Sequence, residues 1–158
     1  MSTTQTRRAV TEETHLAAEA AIKSFSYKTP EKMTRAKANT MLVKGNLVRA
    51  MVQVVREGGE NNLHYHAKVD GFWFVLKGKA RFYGPSDELL AECEPQEGIV
   101  IPQYARYWFE KAGDEDLEIL LVQAFDEGGQ SESGRTDSEP KKLTDEDIDH
   151  FALAGAKS

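Results

Sequence analysis

Two histidines and an aspartate lie close together in GGENNLHYHAKVDG, residues 58–71. His64 and His66 are two positions apart, so in a β-strand both imidazoles leave the same face. Asp70 follows four residues after the second histidine. Two imidazoles and one carboxylate can hold a divalent transition metal and leave coordination positions open for water, dioxygen or substrate. The spacing therefore predicts an open metal site with these three residues as ligands.

The chain between about residues 40 and 125 shows the pattern of an antiparallel β protein. LVRAMVQVV, residues 47–55, alternates between two faces, and six further short runs of aliphatic and aromatic residues are separated by turn residues. These later runs are FWFVL, ARFY, ELLAE, IVIP, RYWFE and LEILLVQAF. Eight or nine short strands without a helical period predict a closed antiparallel barrel or jelly roll.

Arg49 and Gln53 share one face of the run at residues 47–55, opposite a row that contains Val48 and Val52. If their face lines the barrel interior, a guanidinium and an amide are available to bind a carboxylate or hydroxyl of a substrate. A solvated strand face explains the two residues equally well. They are candidate substrate-binding residues.

The remainder of the chain divides into three peripheral segments. Residues 1–39 are predicted to form an N-terminal arm with a short helix that starts at Thr11 and continues to about Phe25. Residues 126–142, DEGGQSESGRTDSEPKK, contain no apolar side chain and are predicted to be a flexible linker. Residues 143–158 are predicted to form a C-terminal helical tail with Thr144 as its N-cap.

The spacing G-x5-H-x-H from Gly58 to His66, followed by an acid and a strand that ends at Gly78, resembles the first motif of the cupin superfamily. Residues 96–111, QEGIVIPQYARYWFEK, resemble the second. The resemblance covers residues 40–125. It implies an all-β fold, a cupin-type antiparallel β-barrel or jelly roll of the RmlC-like kind, here with short flanking terminal helices. It also implies a metal or ligand pocket inside the barrel and a homodimer.

The chain departs from the family pattern at two ligand positions. Gly71 stands where the family has a glutamate, and Asp70 is one residue early, so by strict alternation it faces away unless a bulge turns it inward. Tyr107 stands where the family has its last metal-binding histidine. A phenol must lose its proton to ligate strongly, so Tyr107 is a conditional ligand or a proton donor toward substrate.

These observations favour a metal-dependent enzyme that acts on a small organic molecule inside the barrel. Fe(II) is the favoured ion, with Mn, Ni or Zn as alternatives, and dioxygenase-type chemistry is placed slightly ahead of isomerase or lyase chemistry. The alternative is a non-catalytic small-molecule-binding cupin that has lost the full metal site. A sensory partner domain ranks last.

Composition narrows the range of partners. The 158 residues carry a net charge of −6, and the only basic region, residues 1–50, is outweighed by acidic residues elsewhere, which argues against nucleic acid. The longest apolar runs are far shorter than the roughly 20 residues of a membrane-spanning helix. Cys93 is the single cysteine, and no hydrophobic signal region follows Arg7 and Arg8. We therefore predict a cytoplasmic location.

Overall fold

The computed structural model describes residues 9–126 and 133–153. Within these ranges the chain forms one α-helix, two short 3-10 helices and eleven strands. The helix α1 spans Glu12–Ala20, and the 3-10 helices span Pro85–Asp87 and Asp145–Asp147. The strands are β1 Lys37–Lys44, β2 Val48–Val55, β3 His64–His66, β4 Val69–Lys77, β5 Lys79–Tyr83, β6 Leu89–Cys93, β7 Gly98–Ile101, β8 Trp108–Ala112, β9 Leu117–Phe125, β10 Arg135–Asp137 and β11 Ile148–Phe151.

The strands form three sheets whose inner faces enclose one interior. The largest sheet has the order β11-β1-β2-β9-β4-β7, a second has the order β6-β5-β8, and β10 pairs with β3. A backbone bridge between His64 and Tyr107 connects β3 to the residue that precedes β8. The all-β prediction and each of the predicted strand runs are confirmed.

The apolar core lies toward one end of the interior. Val55, Val75, Phe82, Phe109 and Ile119 are fully buried there. The ring centroids of Phe82 and Phe109 are 5.3 Å apart, a distance typical of packed aromatic pairs. The same inward faces of β2 and β9 supply this core at one end and polar side chains at the other, which positions the candidate site.

The N-terminal arm begins with an exposed helix and then contacts the outer face of the large sheet. The helix α1 begins at Thr11, whose hydroxyl accepts a hydrogen bond of 3.3 Å from the amide of Thr14, and it ends at Ala20, five residues before the predicted end. Farther along, the hydroxyls of Tyr27 and Thr29 both donate to the buried carboxylate of Glu118. Together with an ion pair of 3.6 Å to Lys77, these bonds satisfy a carboxylate that lies buried in the strand β9.

Part of the predicted linker is a strand. Residues 135–137 form β10, which pairs antiparallel with the histidine strand β3 in the register Arg135 to His66 and Asp137 to His64. Residues 127–132 of the predicted linker lie outside the described residues. The polar composition hid this strand because a short edge strand needs no apolar face when its partner supplies the ladder hydrogen bonds.

The predicted C-terminal helix is also different in the structure. Thr144 caps a single 3-10 turn through reciprocal hydrogen bonds with Asp147, and the chain then continues as β11, which pairs parallel with β1. The carboxylate of Asp149 in β11 accepts hydrogen bonds from the amides of Thr34 and Arg35 at 2.6 and 2.8 Å. Residues 154–158 of the predicted tail lie outside the described residues. In the part of the chain that the structure describes, no helix has the length and apolar composition to span a membrane.

Candidate functional site

A cavity of about 230 Å³ lies at the polar end of the barrel interior, beside the histidine strand β3. Its lining combines charged, amide and imidazole side chains with a few apolar and aromatic ones. Its polar lining residues include Lys37, Arg49, Gln53, His64, His66 and Arg135.

The two histidines lie together on the cavity side of β3, as the two-residue spacing predicts. Their ring centroids are 5.1 Å apart and the rings meet edge to face. The Nδ1 atom of His64 donates to the backbone carbonyl of Asn62 at 2.6 Å, which fixes the tautomer and leaves its Nε2 with a free lone pair. The Nδ1 atom of His66 is 2.9 Å from the hydroxyl of Ser133.

Both histidines are held in the neutral form. Burial, with a smaller contribution from the charge of Arg135, lowers the pKa of His64 to about 3. Burial and the charges of Arg135 and Arg49 lower the pKa of His66 to about 4. At neutral pH both rings are therefore uncharged imidazoles that can accept hydrogen bonds or ligate a metal.

The structure does not bring Asp70 to the histidines. Its side chain is exposed on the outer face of β4, where Oδ1 accepts a hydrogen bond of 2.9 Å from the amide of Gln103. The neighbouring Gly71 faces the cavity side instead, so the alternation of β4 continues without the bulge that would turn Asp70 inward. The prediction of Asp70 as a third ligand is corrected accordingly.

Gly71 also leaves no room for the side chain that the family pattern has there. A Cβ atom at this position would lie 2.9 Å from the carbonyl oxygen of Val122, closer than real Cβ contacts. Among residues 9–126 and 133–153, no group of three His, Cys, Asp or Glu side chains is arranged to hold a metal ion. The residues present therefore do not fit a centre of two histidines and one carboxylate.

Tyr107 lies against the histidines with a protonated hydroxyl. Its ring centroid is 4.7 Å from that of His64, and its oxygen accepts a hydrogen bond of 3.1 Å from the indole of Trp73. Burial raises the pKa of Tyr107 to about 12, so its phenol keeps its proton at neutral pH. This state suits the predicted role of proton donor and disfavours the predicted role of metal ligand.

Arg49 and Gln53 both line the cavity, on the inward face of β2. The guanidinium of Arg49 donates through Nη2 and Nε to Oε1 of Gln123, at 2.8 and 3.3 Å, and its Nη1 makes no hydrogen bond with a described residue. Gln53 is 8% exposed, and its Oε1 is buried without a partner among the described residues. Each residue therefore presents unused hydrogen-bonding capacity beside the cavity.

Two further cationic residues of the cavity were not predicted. Arg135 comes from the segment expected to be a linker, where its Nη2 bonds Oδ1 of Asn62 at 3.1 Å and pairs with Asp137 at 3.0 Å. Lys37 comes from the expected N-terminal arm and is 5% exposed. The run KANTMLVK, residues 37–44, has no regular alternation that would place Lys37 inside, and the polar surroundings of Arg135 gave no signal either.

Charge along the cavity wall is strongly unbalanced. Lys37, Arg49 and Arg135 line it, and the one carboxylate among its described lining residues, Asp145, is exposed. Asp137 pairs with Arg135, whereas Lys37 and Arg49 have no ion pair with a described residue. A low-dielectric cavity concentrates the field of such a set. The site therefore favours an anion and opposes a bare divalent cation.

Comparison with solved structures identifies the fold. An uncharacterized protein with a double-stranded β-helix domain from Klebsiella pneumoniae matches with a TM-score of 0.56 and 16% identity, over 78% of this chain and 95% of that chain. An RmlC-like cupin protein from Desulfovibrio desulfuricans matches with a TM-score of 0.52 and 16% identity, over 64% and 97% of the two chains.

Enzymes occur among the structural neighbours. An oxalate decarboxylase from Lactobacillus farciminis matches with a TM-score of 0.53 and 19% identity, over 68% of this chain and 33% of that chain. No protein-family model and no curated protein matches the sequence. Identities this low establish the fold alone. The chain has the cupin fold, a double-stranded β-helix, as the resemblance in its sequence implied.

Proposed function

We propose that the cavity binds a small organic anion, with its carboxylate held by Arg49 and Arg135. The observation that carries the proposal is the set of three cationic side chains around one small cavity, of which Arg135 alone is paired with a carboxylate among the described residues, that of Asp137. The Nη1 group of each arginine makes no hydrogen bond with the described residues, so each retains N–H donors for a ligand. Guanidinium groups bind carboxylates with well-defined geometry.

The size of the cavity suits a ligand with a short chain. Its volume of about 230 Å³ lies below the roughly 300–1,000 Å³ of sites for drug-sized molecules. The unpartnered Oε1 of Gln53 and the neutral Nε2 of His64 supply acceptors, and the hydroxyl of Tyr107 supplies a donor. A short-chain acid with a second polar group, such as a hydroxyl or a carbonyl, matches this set of partners.

Calorimetric titration with propionate, lactate, succinate and uncharged propanol tests the proposal. We expect the acids to bind and propanol not to bind. The substitution Arg49→Met should weaken binding of the acids by roughly tenfold to a hundredfold, since a hydrogen bond to a charged group contributes about 1.5–3 kcal/mol.

Arg81→Met is the matched control, because Arg81 is paired with Glu92 at 2.7 Å in the three-stranded sheet and is not among the residues that line the cavity. Binding of the acids by this variant should equal that of the wild type. Equal weakening in the two variants, or an absence of binding to the wild type, would remove the proposal.

The second candidate is a metal-dependent cupin enzyme, with His64 and His66 as the ligands and dioxygenase-type chemistry slightly favoured. The observation in its favour is that the Nδ1 atoms of both histidines have hydrogen-bond partners while their Nε2 atoms make no hydrogen bond with a described residue. A bound Fe(II), Mn, Ni or Zn ion would supply Lewis-acid or redox chemistry there. In that case Tyr107, as a protonated phenol, would be the proton donor toward substrate.

Metal analysis of the purified protein tests the second candidate. Near-stoichiometric metal that is lost in His64→Ala and retained in His150→Ala would favour the enzyme, because His150 is exposed on the edge strand β11. Wild-type protein that stays folded and takes up none of the four metals would exclude it. The homodimer and the cytoplasmic location remain predictions, and light scattering in solution checks the former.

A further inference from the structure

The amine of Lys37 is a buried group that neither candidate function uses as a nucleophile. Lys37 is the first residue of β1, is 5% exposed and lines the cavity. Its side-chain amine makes no hydrogen bond and no ion pair with any residue of 9–126 or 133–153. Its Nζ lies over the ring of Phe109, 5.5 Å from the centroid. A lysine this buried normally has an anionic partner.

The surroundings of Lys37 disfavour its protonated form. Burial lowers the pKa of Lys37 to about 8, with the charge of Arg135 acting in the same direction and that of Glu60 against it. About a tenth of the amine is then neutral at pH 7. A neutral amine with a free lone pair, desolvated and near a second cation, has the properties of a lysine that attacks carbonyl groups.

We propose that Lys37 forms a reversible imine with the carbonyl carbon of a short oxo acid held in this cavity. The nitrogen lone pair attacks that carbon, a C–N bond forms and the C=O bond breaks. Both N–H protons of the neutral amine leave with the carbonyl oxygen as water. No electron acceptor or donor is required. The inference rests on the proposed function, because the carboxylate of the oxo acid occupies the arginine contacts.

An electrostatic role alone would be better served by a different environment. A lysine that only neutralises a carboxylate keeps its charge more easily where water or polar groups solvate the ammonium. Lys37 instead has no polar partner among the described residues, and the attraction of the Phe109 ring for an ammonium group offsets only part of the lost solvation. Lys44, at the other end of the same strand, is exposed and serves as the matched control.

Reductive trapping tests the inference on the full chain. The protein is incubated with pyruvate and sodium cyanoborohydride, and the product is analysed by intact mass and peptide mapping. We expect one adduct at Lys37 whose mass gain equals the oxo acid less one oxygen atom, with roughly tenfold more label than at Lys44. The adduct should disappear in Lys37→Met and Lys37→Arg and persist in Lys44→Met.

Absence of an adduct, or label spread evenly over exposed lysines, would overturn the inference. Mapping the wild type decides the question even if the Lys37 variants do not fold. Propionate and uncharged propionaldehyde separate the two proposals. Propionate binding without a pyruvate adduct would contradict imine formation at Lys37 and would still support anion binding. Trapping of propionaldehyde at Lys37 without propionate binding would support a nucleophilic amine and would contradict the proposed anion site.

Discussion

The two ends of the barrel interior are built from the same strands and differ in almost every physical property. Strand β2 supplies Arg49 and Gln53 to the cavity end and Val55 to the core end. Strand β9 supplies Gln123 to the first and Ile119 to the second. The side chains of the core end are buried, whereas the cavity end contains charges and two amide oxygens, of Asn39 and Gln53, without a partner among the described residues. The comparison indicates that stability is concentrated at one end and binding at the other.

Removing an aromatic ring from the core end should have the largest effect on stability. Phe82 is fully buried, and its ring packs 5.3 Å from that of Phe109. We expect Phe82→Ala to lower the free energy of unfolding by about 3–5 kcal/mol, measured by urea denaturation. Leu89→Ala is the control, because Leu89 is 56% exposed on the adjacent strand, and should change stability by less than about 0.5 kcal/mol. Similar losses of stability in both variants would contradict the conclusion that stability is concentrated at the core end.

The charge at the cavity end should lower stability. Folding lowers the pKa of Lys37 from 10.5 to about 8, so the folded protein binds fewer protons than the unfolded chain between these pH values. The cost is therefore complete below pH 8 and declines as the pH rises toward 10.5. We expect Lys37→Met to be more stable than wild type at pH 7 by up to about 3 kcal/mol.

The pH dependence of that difference identifies its cause. Urea denaturation of both proteins from pH 7 to pH 10.5 should show the advantage of Lys37→Met shrinking, because the wild-type amine loses its proton. The other titrating groups are common to both proteins and cancel. A difference that stays constant with pH would mean that packing, and not charge, separates the two proteins.

Asn62 connects the histidine strand to the strand that supplies Arg135. Its amide donates to Oδ1 of Asp137 at 2.9 Å and to the carbonyl of Glu139 at 3.1 Å, while its oxygen accepts from Arg135 at 3.1 Å. Asn62→Ala should cost about 1–3 kcal/mol of stability, because buried partners lose their bonds. We expect it to weaken carboxylate binding as well. Unchanged affinity would show that Arg135 is positioned by other contacts.

The smallest effect is expected at Asp70, on the outer side of the same barrel wall. Asp70→Ala removes one exposed hydrogen bond to Gln103 and should cost about 1 kcal/mol or less. Carboxylate affinity and metal content should equal those of the wild type. A loss of metal in this variant, comparable to that in His64→Ala, would indicate that Asp70 is a metal ligand and would contradict its position on the outer face of β4.

The sequence predicted what depends on local alternation and missed what depends on remote pairing. The period of two placed His64 with His66 and Arg49 with Gln53, and the structure retains both pairs on the cavity side. Arg135 reaches the cavity only because β10 pairs with β3, some seventy residues earlier in the chain. A polar strand of three residues is too short to show a periodic pattern, so its pairing with β3 could not be predicted from the sequence. Strand alternation also determines which way Asp70 faces, since a shift of one residue along β4 moves a side chain from the inner face to the outer face.

The most direct measurement is the calorimetric titration of chelator-treated wild-type protein with propionate, with and without added Zn. The cation-lined cavity predicts saturable binding to the metal-free protein, weaker at high salt because the anion meets charged side chains, and no gain from the metal. Binding that occurs only after Zn is added would contradict the account and place a metal ion, not the arginines, at the centre of the site.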